Sequence, residues 1–263
     1  MTRPPPYRDF YYPLNVFMHI LTHEEGGVDY LHYALFEDAG ERIGAAQERS
    51  TELLLARLPP PPARVLEVGI GLGTTLLRLT RLGYDVEGIT PDEKQIAMVR
   101  DRYGDELKAT CVSLEAMDIG HGYDIVLFQE SSQYIDAEVL FARARDLAPQ
   151  VLVLDEFALR PLDAPGALHA RSHFLDAASG AGFQLTEELD LSEQAAPTVD
   201  YFIERLPRYR VQLKADLGLA DQQVDDLIES GKRYRELYRT GVYGYRLMQF
   251  RLTGSARTHT LGT

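Results

Sequence analysis

Arg64-Val65-Leu66-Glu67-Val68-Gly69-Ile70-Gly71-Leu72-Gly73-Thr74-Thr75 is the stretch that decides the fold. Val65, Leu66 and Val68 read as a short buried strand. Gly69, Gly71 and Gly73 follow at alternate positions. Thr74, Leu76, Leu77 and Leu79 then open a helical pattern. A strand, a glycine-rich turn and a helix make the first unit of a nucleotide-binding α/β fold. The glycines let the backbone turn sharply and leave no Cβ between it and a ligand. The first amides of the helix have no intrahelical partner and face whatever sits there.

A pyrophosphate-binding turn follows the pattern Gly-x-Gly-x-x-Gly and lays the phosphates on the helix N-terminus. Here the third glycine comes one residue earlier, and Glu67 stands two positions before the first. A carboxylate aimed at the turn repels phosphate and can pair with a cation. This combination resembles motif I of the class I S-adenosylmethionine-dependent methyltransferases. The resemblance implies S-adenosylmethionine as cofactor, which carries an amine and a sulfonium but no phosphate. It places Glu67, Gly69, Gly71, Gly73 and Thr74 at the cofactor. The plain alternative is an ordinary glycine turn of an α/β protein.

Outward from this stretch, residues 1–58 are aromatic-rich and largely helical in pattern, and contain His19, His23 and His32. Ile43, Ala46, Leu53, Leu54 and Leu55 mark a helix after Gly40. Pro59 to Pro62 end it, because proline lacks an amide and restricts its predecessor. Strands are expected at 64–68, 85–89, 108–112, 123–128, 151–155 and 183–191. Helices are expected at about 73–82, 91–103, 136–147 and 167–181. Such alternation argues for a parallel sheet covered on both faces. Two amphipathic stripes follow, with Phe202, Leu206, Tyr209 and Leu213 in the first and Val224, Leu227, Ile228, Tyr234 and Tyr238 in the second. Tyr243 to Leu252 alternates as a final strand. The fold class is therefore α/β, a doubly wound Rossmann-like sheet of seven strands with the last antiparallel, which matches the methyltransferase sheet. An N-terminal helical lid spans 1–58, the methyltransferase domain 63–252, a helical insertion about 198–240, and a disordered tail 253–263.

Ligands of open α/β sheets sit beyond the carboxyl ends of the strands. Thr90, Pro91 and Glu93 fit a capping box with Thr90 as N-cap. The same stretch resembles the Gly-x-Thr-x-Ser-x-x-Gln segment of the cyclopropane-fatty-acid-synthase-like methyltransferases, with Asp92 in place of the serine. That resemblance implies that Thr90 and Gln95 contact the cofactor ribose, and that Ser113, Leu114 and Glu115 cup the adenine. Gln129 is expected at the cofactor and Glu130 on the substrate side. The lipid-cyclopropanating members carry a Glu-His pair where Gln133 and Tyr134 stand, which argues against cyclopropanation and leaves methyl transfer intact. Leu31 to Phe36, with Tyr33, resembles a segment that small-molecule methyltransferases place over the methionine end, and ordinary helix packing is the alternative. Candidate bases are Glu130, His19, His23, His32 and Tyr134. His19 and His23 are four apart with no fitting acid or thiol ligand set, so no metal is expected.

A formal net charge of −13 argues against nucleic acid, whose affinity rests on Lys and Arg neutralising phosphates, and mildly favours an amine acceptor. Cys111 is the only cysteine, which fits a reducing cytoplasm. No stretch approaches the roughly 20 apolar residues of a membrane span. The expected activity is methyl transfer to a nitrogen or oxygen of a small molecule, and a homodimer is compatible with the sequence. The competing readings are a lipid-modifying relative of the cyclopropane synthases, a dinucleotide-dependent oxidoreductase, and a non-catalytic methyltransferase-like binding module.

Overall fold

The computed structural model describes residues 5–118, 122–160 and 168–254. Its elements run α1 (Leu14–Glu25), α2 (Ile43–Leu55), β1 (Arg64–Val68), α3 (Thr74–Arg81), β2 (Asp85–Thr90), α4 (Glu93–Tyr103), β3 (Ala109–Cys111) and β4 (Ile125–Gln129). They continue through α5 (Ala137–Leu147), β5 (Gln150–Ala158), α6 (Arg171–Gly180), β6 (Phe183–Asp190), α7 (Ser192–Ala195), α8 (Pro197–Leu217), α9 (Asp221–Arg239) and β7 (Tyr243–Leu252). The seven strands form one sheet in the order β3-β2-β1-β4-β5-β7-β6. β1 to β5 run parallel, and β7 lies antiparallel between β5 and β6.

Alternation along each strand divides the core. Val65, Ile125, Leu127, Leu152 and Leu154 point into one apolar cluster. Leu66, Val126, Phe128, Val151 and Val153 point into the other. Successive strand residues face opposite sides, so strands apolar throughout require helices on both faces. A third cluster joins α1 and the start of α2 to α8 and α9 through Val16, Ile20, Ile43, Tyr201, Leu206 and Leu213. The N-terminal segment and the inserted helices thus pack on each other as well as on the sheet. None of the described helices is long and apolar enough to cross a membrane.

Several expectations are corrected. Residues 27–42 are neither helix nor strand. Three consecutive amides are taken from outside the segment: Tyr33 N donates to Glu130, Ala34 N to Thr198 Oγ1, and Leu35 N to the Ala46 carbonyl. The strand expected at 108–112 shrinks to Ala109–Cys111, whereas the one expected at 151–155 extends to Ala158. Nine-residue pairing with β7 carries it that far, and draws Glu156 into the sheet opposite Tyr245. The insertion begins earlier, at Ser192. Thr253 hydrogen-bonds the Gly182 carbonyl through both N and Oγ1, so the expected tail begins attached. The rest of that tail lies outside the described residues, as does position 167 of the helix expected at 167–181.

The N-cap of α4 is Asp92 rather than Thr90. Asp92 is extended (φ −89°, ψ 105°), and its carboxylate accepts from Lys94 N at 2.8 Å. Asp92 therefore takes over the capping and leaves Thr90 at the strand end. Asp92→Ala is expected to cost about 1 kcal/mol. A lower urea midpoint with unchanged slope would show it; no change would return the cap to Thr90.

Candidate functional site

The turn after β1 is built from backbone that other residues avoid. Gly69, Gly71 and Gly73 have φ of +81°, +52° and +78°. A Cβ on Gly69 would lie 2.3 Å from that of Ser131, whose hydroxyl donates to the Val68 carbonyl. A Cβ on Gly73 would lie 2.9 Å from Val99 Cγ2. The third glycine thus lets α3 approach α4 and does not line the cavity beyond the turn, whereas Gly69 and Gly71 do.

That cavity has a volume of about 530 Å³ and opens over the carboxyl ends of β1, β2 and β4. It gathers Glu67, Thr74, Thr90, Gln95, Ser113, Leu114, Glu115, Gln129, Glu130, His32 and Tyr134 on one surface. Glu67 is 2 % exposed, and its Oε2 has no hydrogen-bond partner among the described residues. Burial pushes this carboxyl up to about 8. A buried carboxylate oxygen without a donor is costly, and a ligand that supplies positive charge removes that cost. Thr90 Oγ1 donates to Gln95 Oε1 at 2.9 Å, so the two form one polar edge after β2. Thr74 Oγ1 donates to the Asp29 carbonyl and so ties α3 to the N-terminal segment.

A second cavity of about 360 Å³ continues from the first. The two share Tyr11, Leu14, Leu31, His32, Glu130, Gln133 and Tyr134. The inner chamber lies under α8 and α9, with Phe17, Leu21, Phe202, Ile203, Leu206 and Leu227 as apolar wall. Tyr33, expected at the cofactor, lines this inner chamber and not the outer one.

Glu130 stands at the junction. It has φ +54°, a left-handed conformation rare for a residue with a Cβ. Its Oε1 accepts from Tyr33 N and from Tyr245 OH, both at 2.6 Å. Burial, followed by the neighbouring Glu156 charge, holds this carboxyl well above the usual carboxylate range. Glu156 accepts from Tyr238 OH at 2.5 Å and Tyr234 OH at 3.0 Å, and burial raises it to about 7. Asp155, its neighbour on β5, is also buried. It turns to the turn after β4, accepting from Ser132 N at 3.0 Å and Ser132 Oγ at 2.6 Å.

The histidines separate. His32 Nδ1 lies 2.9 Å from the Tyr33 carbonyl, and burial lowers the ring to about 4. A carbonyl only accepts, so Nδ1 carries the proton of the neutral ring and Nε2 accepts from Thr51 Oγ1 at 3.1 Å. Thr51 in turn accepts from Gln129 Nε2, and Gln129 Oε1 accepts from Thr75. This chain locks the N-terminal segment to β4 and leaves His32 no free nitrogen for proton transfer. His19 and His23 line neither cavity. His19 Nε2 is 2.9 Å from Asp216 Oδ2 on α8. One ligand atom each of His19, His23 and Asp216 lies within 4.8 Å of the others. The sequence expectation of no acid beside these histidines is corrected, since Asp216 comes from nearly two hundred residues away.

Sequence reasoning missed Glu156, Tyr234, Tyr238 and Tyr245 as site residues. A signal existed in Val151-Leu-Val-Leu-Asp-Glu-Phe-Ala, where two acids interrupt a strand otherwise apolar enough for the core.

No protein-family model matches the sequence, and no curated protein matches it. Solved structures do match in shape. A cyclopropane synthase from Mycobacterium tuberculosis superposes with a TM-score of 0.78 at 18 % identity, covering 95 % of this chain and 100 % of that one. A putative sarcosine dimethylglycine methyltransferase from Galdieria sulphuraria reaches 0.74 at 16 %, covering 89 % and 97 %. A (4+2)-cyclase also reaches 0.74, at 19 %, covering 95 % and 97 %. One fold thus carries more than one reaction, and the site has to decide between them. At these identities the likeness is one of architecture, and this chain has the seven-stranded Rossmann-like fold shared by those cyclopropane synthases and methyltransferases.

Proposed function

We propose that the protein is an S-adenosylmethionine-dependent methyltransferase that moves a methyl group to a nitrogen or oxygen of a small molecule. The observation that carries this reading is Glu67 Oε2, buried without a donor in the wall of a cavity floored by positive-φ glycines. Such a wall suits a ligand with an amine and suits a pyrophosphate poorly. Glu67, Gly69 and Gly71 would hold the amino-acid end, Thr90 and Gln95 the ribose, and Ser113, Leu114 and Glu115 the adenine. When bound, S-adenosylmethionine supplies a methyl already activated on a sulfonium, whose electron pair leaves with sulfur as the acceptor's lone pair forms the new bond. The chain's own task is then to align the acceptor, exclude water and receive a proton. The second cavity, continuous with the first at Glu130, is the space for that acceptor.

Isothermal titration with S-adenosylmethionine, S-adenosylhomocysteine and NADH tests the reading. Saturable binding of both sulfur compounds and none of NADH is expected. Failure of both sulfur compounds to bind would overturn it.

A further inference from the structure

Among the described residues the inner chamber contains two carboxyl groups and no lysine or arginine to balance them. The carboxyl groups are those of Glu130 and Glu156. Its single histidine, His32, is held neutral. Every donor recorded on the two carboxyls is uncharged: the phenols of Tyr234, Tyr238 and Tyr245, and the Tyr33 amide. The Tyr234, Tyr238 and Tyr245 phenols are pushed above their ordinary range by burial, so they donate and do not ionise. Buried acids in proteins are ordinarily paired with a cation or a metal. Among the described residues no such counter-charge stands where the first cavity opens into the second.

We propose that the inner chamber takes a protonated amine bearing an apolar substituent, and that Glu130 and Glu156 together hold its ammonium and take up its proton. This rests on the methyltransferase reading above and names the acceptor class for it. The chamber wall of Phe17, Leu206 and Leu227 receives the apolar part. Aromatic side chains line the same space, and ring faces attract cations. A carboxylate or phosphate would meet two acidic groups and, among the described residues, no lysine or arginine, so the chamber disfavours anions as well as selecting cations.

The proton balance follows from the charges. An ammonium has no lone pair to offer a methyl group. One N–H bond breaks, its electron pair stays on nitrogen, and the proton goes to a carboxylate oxygen. An ion pair becomes a neutral amine and a carboxylic acid, a change that the burial of these carboxyls favours. A carboxyl raised toward neutrality accepts such a proton more readily than one of ordinary strength. Because the two groups interact, the protonation belongs to the pair and not to either residue.

The test compares isosteres on the protein already saturated with S-adenosylhomocysteine. Benzylamine is titrated against benzyl alcohol and benzoate, and octylamine against octanol, by calorimetry at pH 7.5. At least one amine should bind at least about tenfold tighter than its alcohol, a modest figure for a desolvated charge pair, and benzoate should not bind. Glu130→Gln and Glu156→Gln should each erase that preference while keeping the alcohol's affinity, with melting and S-adenosylhomocysteine binding reporting an intact fold. Equal affinity of amine and alcohol in both pairs, no amine binding at 10 mM (about 3 kcal/mol of affinity), or an unchanged preference in both folded variants would overturn the inference. The two readings fail separately. Loss of S-adenosylhomocysteine binding sinks the methyltransferase reading, whereas its retention without an amine preference sinks only this one.

Discussion

Glu67→Gln is expected to weaken S-adenosylmethionine binding by roughly 10- to 100-fold, the worth of a hydrogen bond to a charged group, and at the same time to stabilise the ligand-free protein at pH 8. Both effects have one cause. The Glu67 carboxyl is buried with Oε2 unpartnered, which raises it from an ordinary value of 4.5 to about 8. The folded chain therefore keeps this proton where the unfolded chain has released it. Stability from this group is fully present below the ordinary carboxylate value and is lost as pH rises toward 8. The folded and unfolded values differ enough to put that loss at up to about 5 kcal/mol, as an upper bound. Glutamine never ionises, so the variant should match wild type near pH 4 and melt higher than wild type at pH 8. The bound cofactor's amine should draw the wild-type carboxyl into its ionised form, so binding at pH 7 should release a proton. Titration in buffers of different ionisation enthalpy measures that release. Unchanged cofactor affinity in Glu67→Gln, or a lower melting temperature at pH 8, would show that the turn has been misread.

Gly69→Ala should be the most damaging small substitution in the site. Two independent penalties fall on one methyl group. A φ of +81° places an L-residue in the left-handed region, at about 1–2 kcal/mol. The new Cβ would also sit 2.3 Å from Ser131 Cβ, inside any real contact distance. Ser131 cannot simply swing away, because it is buried and its hydroxyl is bonded to the Val68 carbonyl. Overpacking of this kind adds about 1–3 kcal/mol. The sum, about 2–5 kcal/mol, corresponds to a fall in melting temperature of roughly 5–15 °C for a chain of this size. Gly71→Ala should cost less, since its nearest neighbour is Leu31 Cδ1 at 3.7 Å. Equal losses at the two positions would show that conformation and not the Ser131 contact sets the cost.

The outer half of the site was legible because its signals are local. Glu67, the glycines, Thr90 with Gln95, and Ser113 to Glu115 each follow a strand, and the doubly wound order brings strand ends to one edge. The expected third glycine and Tyr33 fell elsewhere for tertiary reasons. Gly73 is needed against Val99, and the Tyr33 segment is drawn to Glu130 and Thr198 rather than coiling into a helix. Of the inner half only Glu130, expected on the substrate side, was legible. Glu156 faces the chamber only because β5 runs on to Ala158 along β7, and its phenol partners come from α9, some eighty residues away.

Hydrophobic periodicity and glycine spacing act over a few residues, and they sufficed for the α/β class, the first strand-turn-helix unit and the position of the outer cavity. Charge balance inside a cavity is a sum over distant segments. Only the folded chain could show that Glu130 and Glu156 share a chamber with no lysine or arginine among the described residues, that His32 is committed on both nitrogens, and that Asp216 reaches His19.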